Sequence, residues 1–180
     1  MRSQMSVADR EAAGIEVSRR VIDLATRLEA KVVHVFWPIE KNFEIDTRPV
    51  IRQLVNAGTV VALPVVSSLE DGVMQQRRFV SESELAVSRF GSLEPVSGPL
   101  VSPEETGLIV APALAADRRG FRIGYGGGFY DRFLATTGCP SVVVVYSECL
   151  IDRVPEESHD VPVDFVITEF DTIVTEELAT

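Results

Sequence analysis

The residues best suited to chemistry lie in one run, R-I-G-Y-G-G-G-F-Y-D-R-F-L, which covers Arg122 to Leu134. Glycine fills most of the centre of this run, at Gly124, Gly126, Gly127 and Gly128. Without a Cβ, the backbone can adopt positive φ and a ligand can approach its N–H groups closely, which is how proteins hold phosphate. An aromatic pair, a carboxylate and a cation follow directly, as Phe129, Tyr130, Asp131 and Arg132. The run therefore offers a phosphate loop, a stacking surface, a ligand for Mg²⁺ and a partner for an anion.

This glycine loop matches neither of two common nucleotide-binding patterns. No Lys or hydroxyl residue directly follows Gly128, so the P-loop pattern is not met. We expect no strand immediately before the glycines, so the dinucleotide fingerprint is not met either. A helical pattern from Tyr130 to Ala135 begins just after the loop, and loop amides beside a helix N-terminus bind anions. The structural alternative is a turn without a ligand, which needs only one or two glycines.

Length and composition favour one compact domain over residues 1–180, since the chain has 180 residues of which 46% are hydrophobic. The longest apolar stretches, such as 59–66, are far shorter than the roughly twenty residues that a membrane span needs. The N-terminus lacks the apolar core and cleavage site of a signal peptide. We therefore expect a cytoplasmic protein without a membrane partner, either a monomer or a homodimer.

The charge distribution argues against nucleic acid as a partner. The formal net charge is −10, and Lys31 and Lys41 are the only two lysines among 17 basic residues. An acidic protein that binds an anion needs a local basic cluster, and we expect one around the glycine loop from Arg118, Arg119, Arg122 and Arg132. The spacing of Cys139 and Cys149 fits neither a zinc site nor a redox pair, so both are predicted to be small buried side chains.

Hydrophobic periodicity predicts an α/β fold in which helices and strands alternate. The predicted helices span 7–30, about 49–57 with Thr47 or Arg48 at the cap, and 130–137. The predicted strands span 31–37, 59–66, 108–111, 141–146 and 164–168. Residues 74–80 and the segment as far as Phe90 are predicted to be exposed strand or loop that forms a flap. The alternation implies a three-layer, mostly parallel sheet, with ligands at the carboxyl ends of its strands.

Glu44 is a second candidate for ligand binding, in the polar loop that follows strand 31–37. Phe36, Trp37 and Phe43 lie near it in the sequence. A carboxylate beside aromatic rings suits a flat heteroaromatic ligand with N–H donors, such as a pterin. The structural alternative is a solvated loop acid, and Asp46 is more simply explained as a helix cap.

Asp131 and Asp160 are the candidate metal ligands, because both are predicted in loops near the same edge of the sheet. Mg²⁺ prefers few carboxylates together with water and substrate phosphates. The alternative for both is an acid at a loop or a helix start. We interpret His159 as a structural hydrogen-bonding residue and His34 as a packed or edge residue of its strand.

Taken together, these motifs resemble the 5-formyltetrahydrofolate cyclo-ligase family, also called methenyltetrahydrofolate synthetases. The similarity runs from about Ser6 to Thr168. It is carried by P-I-E-K-N-F-E-I-D-T, F-G-S-L-E-P, A-P-A-L-A-A-D-R-R-G-F-R-I-G-Y-G-G-G-F-Y-D-R-F-L and V-P-E-E-S-H-D-V-P-V-D-F-V-I-T. The long glycine block is highly specific, and the order and spacing of the other segments fit as well.

The resemblance implies an ATP- and Mg-dependent cyclisation of 5-formyltetrahydrofolate to 5,10-methenyltetrahydrofolate, with release of ADP and phosphate. The family's route passes the γ-phosphoryl group to the formyl oxygen, after which N10 attacks the activated carbon and phosphate leaves. The implied fold resembles that of sugar-phosphate isomerases and CoA transferases. Catalysis would rest mainly on positioning and charge neutralisation.

The resemblance also implies a role for each candidate residue. The catalytic residues would be Arg122, Tyr130 and Asp131. ATP would be bound by Arg122, Ile123, Gly124, Tyr125, Gly126, Gly127, Gly128, Phe129 and Tyr130. The folate would be bound by Glu44, Phe90, Gly126, Gly127, Gly128, Phe129 and Tyr130. The metal would be held by Asp131 and Asp160.

The sequence departs from the family pattern in two places, and two other functions stay open. Family members carry a basic N-terminal helix that reaches the nucleotide phosphates, and here Arg2 is the only nearby candidate. Ala116 stands before Asp117 where the family usually has Phe, so we expect looser packing under the loop. The alternatives are a non-catalytic folate- or nucleotide-binding relative and an enzyme similar to sugar-phosphate isomerases.

Overall fold

The computed structural model describes residues 2–66, 72–88 and 91–175. The first long helix, α1 (Val7–Arg27), begins where predicted, because the Ser6 side chain accepts a hydrogen bond from the Asp9 N–H at 3.1 Å. Val17, Val21 and Leu24 recur on one face and are buried in the core. The helix ends at Arg27, and Glu29 then adopts a positive φ of 51°.

Two shorter helices follow, α2 (Arg48–Asn56) and α3 (Phe129–Leu134). Thr47 lies at the cap of α2 as predicted, but its hydroxyl donates to the Phe36 carbonyl at 2.6 Å. The Asp46 carboxylate accepts the Arg48 N–H at 3.0 Å instead, so Asp46 does the capping. The helix predicted at 130–137 begins one residue earlier and ends at Leu134, after 6 residues.

The strands form a seven-stranded sheet and two small antiparallel pairs. The strands of the main sheet are β1 (Val32–His34), β2 (Val60–Val66), β3 (Met74–Arg78), β6 (Leu108–Pro112), β9 (Ser141–Val144), β10 (Phe165–Ile167) and β11 (Thr172–Val174). Their order is β11-β10-β9-β6-β1-β2-β3, in which the five inner strands are parallel and the two edge strands antiparallel. The pairs are β4 (Leu85–Val87) with β5 (Leu93–Pro95), and β7 (Ala115–Ala116) with β8 (Arg122–Ile123). The predicted mostly parallel α/β fold is confirmed.

Two local predictions are wrong. Residues 74–78 are not an exposed flap: β3 pairs with β2 along its whole length, and Met74 and Gln76 are buried. A strand does precede the glycines, since β8 ends directly before Gly124. It is a two-residue strand paired only with the equally short β7, so it is not the parallel strand that a dinucleotide fold requires.

The sheet reverses its direction of growth beside β1. From β1 the chain first adds β2 on one side, and β6, β9 and β10 later extend the other side. In open α/β sheets such a switch point leaves a crevice at the carboxyl ends of the two strands. The loops that follow β1 and β6 open there, and they contain Glu44 and the glycine loop. The topology therefore brings the two candidate segments together.

The remaining sequence-based expectations have simple outcomes. Cys149 is buried and Cys139 is half-buried, and both are free thiols. Ala116 and Asp117 are fully buried. Among the described residues, no helix combines the length and the apolar character that crossing a membrane would require.

Candidate active site

The glycine loop joins β8 to α3 and presents bare backbone to its surroundings. Gly126 and Gly128 have positive φ, 84° and 61°, a conformation that glycine adopts without steric cost. A Cβ on Gly127 would lie 2.6 Å from the Phe129 ring, so that position needs glycine for space. Gly124 and Gly126 have open space where a side chain would stand. A ligand can therefore reach the backbone of this loop directly.

Tyr125 connects the glycine loop to the loop of Glu44. Its hydroxyl donates to Glu44 Oε1 at 2.7 Å. The Tyr125 hydroxyl oxygen in turn accepts hydrogen bonds from Arg2 Nη2 and from Asn42 Nδ2, each at 3.0 Å. The glycine loop, the loop of Glu44 and Arg2, which were separate candidates in the sequence, thus meet at the Tyr125 hydroxyl.

Glu44 is a partly desolvated carboxylate. Its Oε2 accepts the Ile39 N–H at 2.7 Å. Burial raises the pKa of Glu44, and the hydrogen bonds from Ile39 and Tyr125 and the charge of Arg2 oppose that rise. Because its two oxygens already accept from N–H and O–H donors, Glu44 can also bind a ligand that carries such donors.

The aromatic surroundings of Glu44 differ from the prediction. Phe36 and Trp37 are buried, and Trp37 stacks on Phe79 with the ring centres 6.0 Å apart. Phe43 is exposed, and the Arg10 guanidinium lies over its ring at 4.7 Å. Of the three rings near Glu44 in the sequence, Phe43 alone presents a surface to solvent.

Arg122 and Asp131 form a shielded ion pair beneath the glycine loop. Arg122 Nη2 donates to Asp131 Oδ1 at 2.8 Å, and only 4% of the Arg122 side chain is exposed. Arg122 Nη1 donates to the Val161 carbonyl at 2.7 Å, which ties the loop before β10 to this point. Burial lowers the pKa of Arg122, while the nearby charges of Asp131 and Asp160 raise it. Arg122 is therefore an anchored cation.

The expected basic cluster does not form as one open surface. Arg119 is bound by the buried Asp117 at 2.7 Å and by Glu156 at 3.0 Å, which neutralise its charge. Arg132 donates to the carbonyls of Gly72 and Gly127 at 2.8 and 2.6 Å. Because carbonyl oxygens carry no net charge, Arg132 remains a cation beside the glycine loop.

The charges of Asp131 and Asp160 both act on the Arg122 guanidinium, so the two carboxylates lie near the same cation. Asp160 Oδ2 accepts the Glu157 N–H at 2.7 Å, and 22% of the Asp131 side chain is exposed. The described residues hold no group of three or more His, Cys, Asp or Glu side chains placed for a metal ion. Two carboxylates fit Mg²⁺ when phosphate and water complete its shell, so a nucleotide complex of the ion suits this site.

Sequence reasoning missed one contact of a candidate site residue, between Tyr130 and His34. Tyr130 Oη lies 3.2 Å from His34 Nε2, and His34 is completely buried in the inner strand β1. Burial lowers the pKa of His34 to about 4 and raises that of Tyr130, so both groups are neutral at physiological pH. The prediction that His34 is packed is confirmed, although nothing in the sequence pointed to its partner. Phe90, the remaining predicted folate contact, lies outside the described residues.

Comparison with known proteins gives a consistent result. The profile of the 5-formyltetrahydrofolate cyclo-ligase family matches residues 1–169. The 5-formyltetrahydrofolate cyclo-ligase of Escherichia coli K12 is 30% identical over 172 residues, which cover 93% of each chain. That of Mycolicibacterium smegmatis is 36% identical over 149 residues, 79% of this chain and 75% of the relative.

Two solved structures are similar as well. The 5,10-methenyltetrahydrofolate synthetase of Aquifex aeolicus, solved by NMR, superposes with a TM-score of 0.83 at 30% identity, covering 97% of this chain and 87% of its own. The synthetase of Mycoplasma pneumoniae gives a TM-score of 0.72 at 19% identity, covering 93% and 92%. At that identity the second likeness supports the fold alone.

Proposed function

Because the chain belongs to the 5-formyltetrahydrofolate cyclo-ligase family, we propose that it converts 5-formyltetrahydrofolate and ATP to 5,10-methenyltetrahydrofolate, ADP and phosphate. The observation that carries the proposal is the meeting of the glycine loop with Glu44 through the 2.7 Å hydrogen bond of Tyr125. A phosphate-type loop and a carboxylate for N–H donors then face one crevice, at the switch point of the sheet. The reaction needs such a place, because a phosphoryl group must pass between two bound molecules.

For ATP, we propose binding by the stretch from Arg122 to Tyr130. The exposed backbone of residues 124–127 would hold phosphate oxygens, and Gly124 and Gly126 have open space around them for the approach. Arg132 supplies positive charge next to the same backbone. Arg122 would act indirectly, because its ion pair with Asp131 holds the glycine loop and α3 in place.

For the folate, we propose that Glu44 accepts hydrogen bonds from the pterin N–H groups. Its two oxygens already bind an N–H and an O–H group, and each carboxylate oxygen has capacity for a second donor. Gly126 to Tyr130 would pass along the substrate, so that the formyl group lies between the pterin and the phosphates. Phe90 is part of this proposal on the resemblance alone.

For the metal, Asp131 and Asp160 are the proposed ligands of Mg²⁺ bound with the nucleotide. The ion would neutralise charge on the phosphates and orient them for transfer. The positive charge of Arg122, which acts on both acids, limits their mutual repulsion before ligands bind.

In this arrangement, Arg122, Tyr130 and Asp131 are the proposed catalytic residues, and they act mainly by positioning. The formyl oxygen takes the γ-phosphoryl group while ADP leaves. N10 then attacks the formyl carbon, and phosphate departs with the former formyl oxygen as the ring closes and N10 loses its proton. Holding the reactants in register can supply several kcal/mol of the barrier reduction, about 7–11 kcal/mol in well-oriented systems.

The test is a spectrophotometric assay with protein, Mg²⁺, ATP and 5-formyltetrahydrofolate. Ring closure extends the conjugation of the product, so near-ultraviolet absorbance should rise, and omission of ATP should abolish the rise. Folded protein that binds both ligands without any rise would refute the ligase and leave a binding protein. The single domain, the cytoplasmic location and the choice between monomer and homodimer stay predictions.

A further inference from the structure

A buried chain of polar side chains runs from the glycine block into the sheet. Tyr130 Oη contacts His34 Nε2 at 3.2 Å, and His34 Nδ1 contacts Gln76 Oε1 at 2.9 Å. Gln76 Nε2 continues to Thr106 Oγ1 at 2.6 Å and to the Ser102 carbonyl at 3.2 Å. His34, Gln76 and Thr106 are at most 5% exposed, so water does not compete for these bonds.

The far end of this chain fixes the direction of every hydrogen bond in it. A carbonyl oxygen only accepts, so the group of Gln76 that faces Ser102 must be its NH₂. The amide oxygen of Gln76 then faces His34 and can only accept a hydrogen bond. His34 Nδ1 must therefore carry a proton and donate it to that oxygen. In a neutral imidazole the other nitrogen is a pure acceptor, so Tyr130 donates its hydroxyl hydrogen to Nε2.

The rings are held in this arrangement by packing. The planes of Tyr130 and His34 meet at 77°, with centroids 5.7 Å apart. Phe133 lies against the imidazole at 5.0 Å. His34 comes from the inner strand β1, so it is a rigid support for a residue in the first turn of a six-residue helix.

We propose that His34 is a positioning residue for the ligase reaction: it turns the Tyr130 hydroxyl into an acceptor for the N–H groups of the folate and leaves phosphate binding to the backbone of the loop. Because the Tyr130 hydroxyl donates its hydrogen bond to His34, its oxygen can act toward a ligand only as an acceptor. Phosphate oxygens are acceptors and cannot bond to it, whereas the N–H groups of a reduced folate can. Tyr130 directly follows the glycine loop, and Tyr125 of that loop is hydrogen-bonded to the proposed pterin-binding carboxylate of Glu44 at 2.7 Å. This inference rests on the proposed function and divides the shared loop between the two substrates.

The tautomer can be observed directly by ¹⁵N NMR of the histidine rings. The chain has 2 histidines, and the exposed His159 serves as the reference. We expect His34 in the Nδ1–H form at neutral pH. A spectrum with the Nε2–H form would overturn the proposal, and this measurement depends neither on turnover nor on a variant.

A matched pair of variants tests the consequence for binding. The His34→Asn amide lies near the Nδ1 position, so it keeps a donor for Gln76 and removes the acceptor for Tyr130. The His34→Gln amide reaches the Nε2 position and keeps that acceptor. We expect His34→Asn to weaken binding of 5-formyltetrahydrofolate about tenfold, the loss of one hydrogen bond, with ATP affinity within about twofold. The affinity of His34→Gln for 5-formyltetrahydrofolate should lie between those of His34→Asn and the parent.

A double-mutant cycle with Tyr130→Phe separates positioning from general structural damage. Without the phenol oxygen, His34→Asn should weaken folate binding by less than about twofold further, because the acceptor has lost its donor. Additive losses, or equal losses for ATP and folate, would refute the proposal. Calorimetry on the parent protein shows whether it binds the folate at all, so failure of the proposed function is seen separately. If His34→Asn does not fold, Tyr130→Phe and the tautomer spectrum still decide the question.

Discussion

The hydroxyl of Tyr125 and the carboxylate of Glu44, 81 positions apart in the chain, share a hydrogen bond of 2.7 Å. This bond joins the loop after β1 to the loop after β6 across the crevice of the sheet. It also means that Glu44, the proposed pterin-binding residue, already accepts a hydrogen bond before the substrate arrives. Folate N–H groups must bind beside Tyr125 or displace it, and Gly124 and Gly126 on either side of it have open space around them.

Glu44→Gln is expected to weaken folate binding by roughly 1.5–3 kcal/mol, the range for hydrogen bonds to charged groups. The amide keeps the shape but replaces one acceptor oxygen with a donor, which opposes the pterin N–H groups. ATP affinity should change little. Calorimetry with each ligand in turn makes the comparison, and an equal loss for ATP would mean that Glu44 acts through the fold.

Asp131→Asn is expected to lower activity at least about a hundredfold, as for other lost charge-stabilising groups. Asp160→Asn should cost less, since water can replace one metal ligand. Activity is measured across a Mg²⁺ titration, and equal rates for parent and Asp131→Asn at every concentration would disprove the metal assignment. Because Asp131 also neutralises the shielded Arg122, the melting temperature of the variant must be measured alongside.

Arg2→Gln is expected to weaken ATP binding about tenfold, because Arg2 is the N-terminal cation that reaches the glycine loop through Tyr125. The matched control is Arg119→Gln, a loss of the same charge from a residue already bound by Asp117 and Glu156. That control should lower the melting temperature, because Asp117 loses its partner, and leave ATP affinity unchanged. Reversed effects in the two variants would show that Arg119 has taken over the N-terminal role.

His34 should make stability depend on pH. Its pKa is about 4 in the folded protein and near 6.5 when unfolded, so the unfolded chain binds the extra proton first. The contribution is fully present above about pH 6.5 and is lost as pH falls toward 4, with about 3 kcal/mol as an upper limit. Denaturant unfolding of the parent and His34→Gln at pH 7.5 and pH 5 gives the difference. Parallel losses in the two proteins would exclude His34 as the source, and the titration of Glu44 cancels because both share it.

The strand and helix order was predictable because apolar runs such as 59–66 and the periodicity of Val17, Val21 and Leu24 depend on local sequence. The glycine loop and Glu44 were recognisable for the same reason, since their residue types carry the chemistry. The placement of β3 was not, because Gln76 is a polar residue whose burial depends on a partner 42 positions away. The neutralisation of Arg119 by Asp117 and Glu156 likewise required the folded chain. Contacts between distant segments decide which charges remain available, and composition does not show them.

The position of β1 at the switch point also orders events during folding. Its pairing with β2 closes a short loop, whereas its pairing with β6 joins Val33 to Leu108 across a much longer segment. Closing the longer loop costs more entropy and comes later on average. The crevice does not exist until that second pairing forms, so the folate has nothing to bind in the chain before then. Added substrate should therefore slow unfolding and leave the refolding rate unchanged, because the ligand stabilises the folded protein and does not take part in its folding.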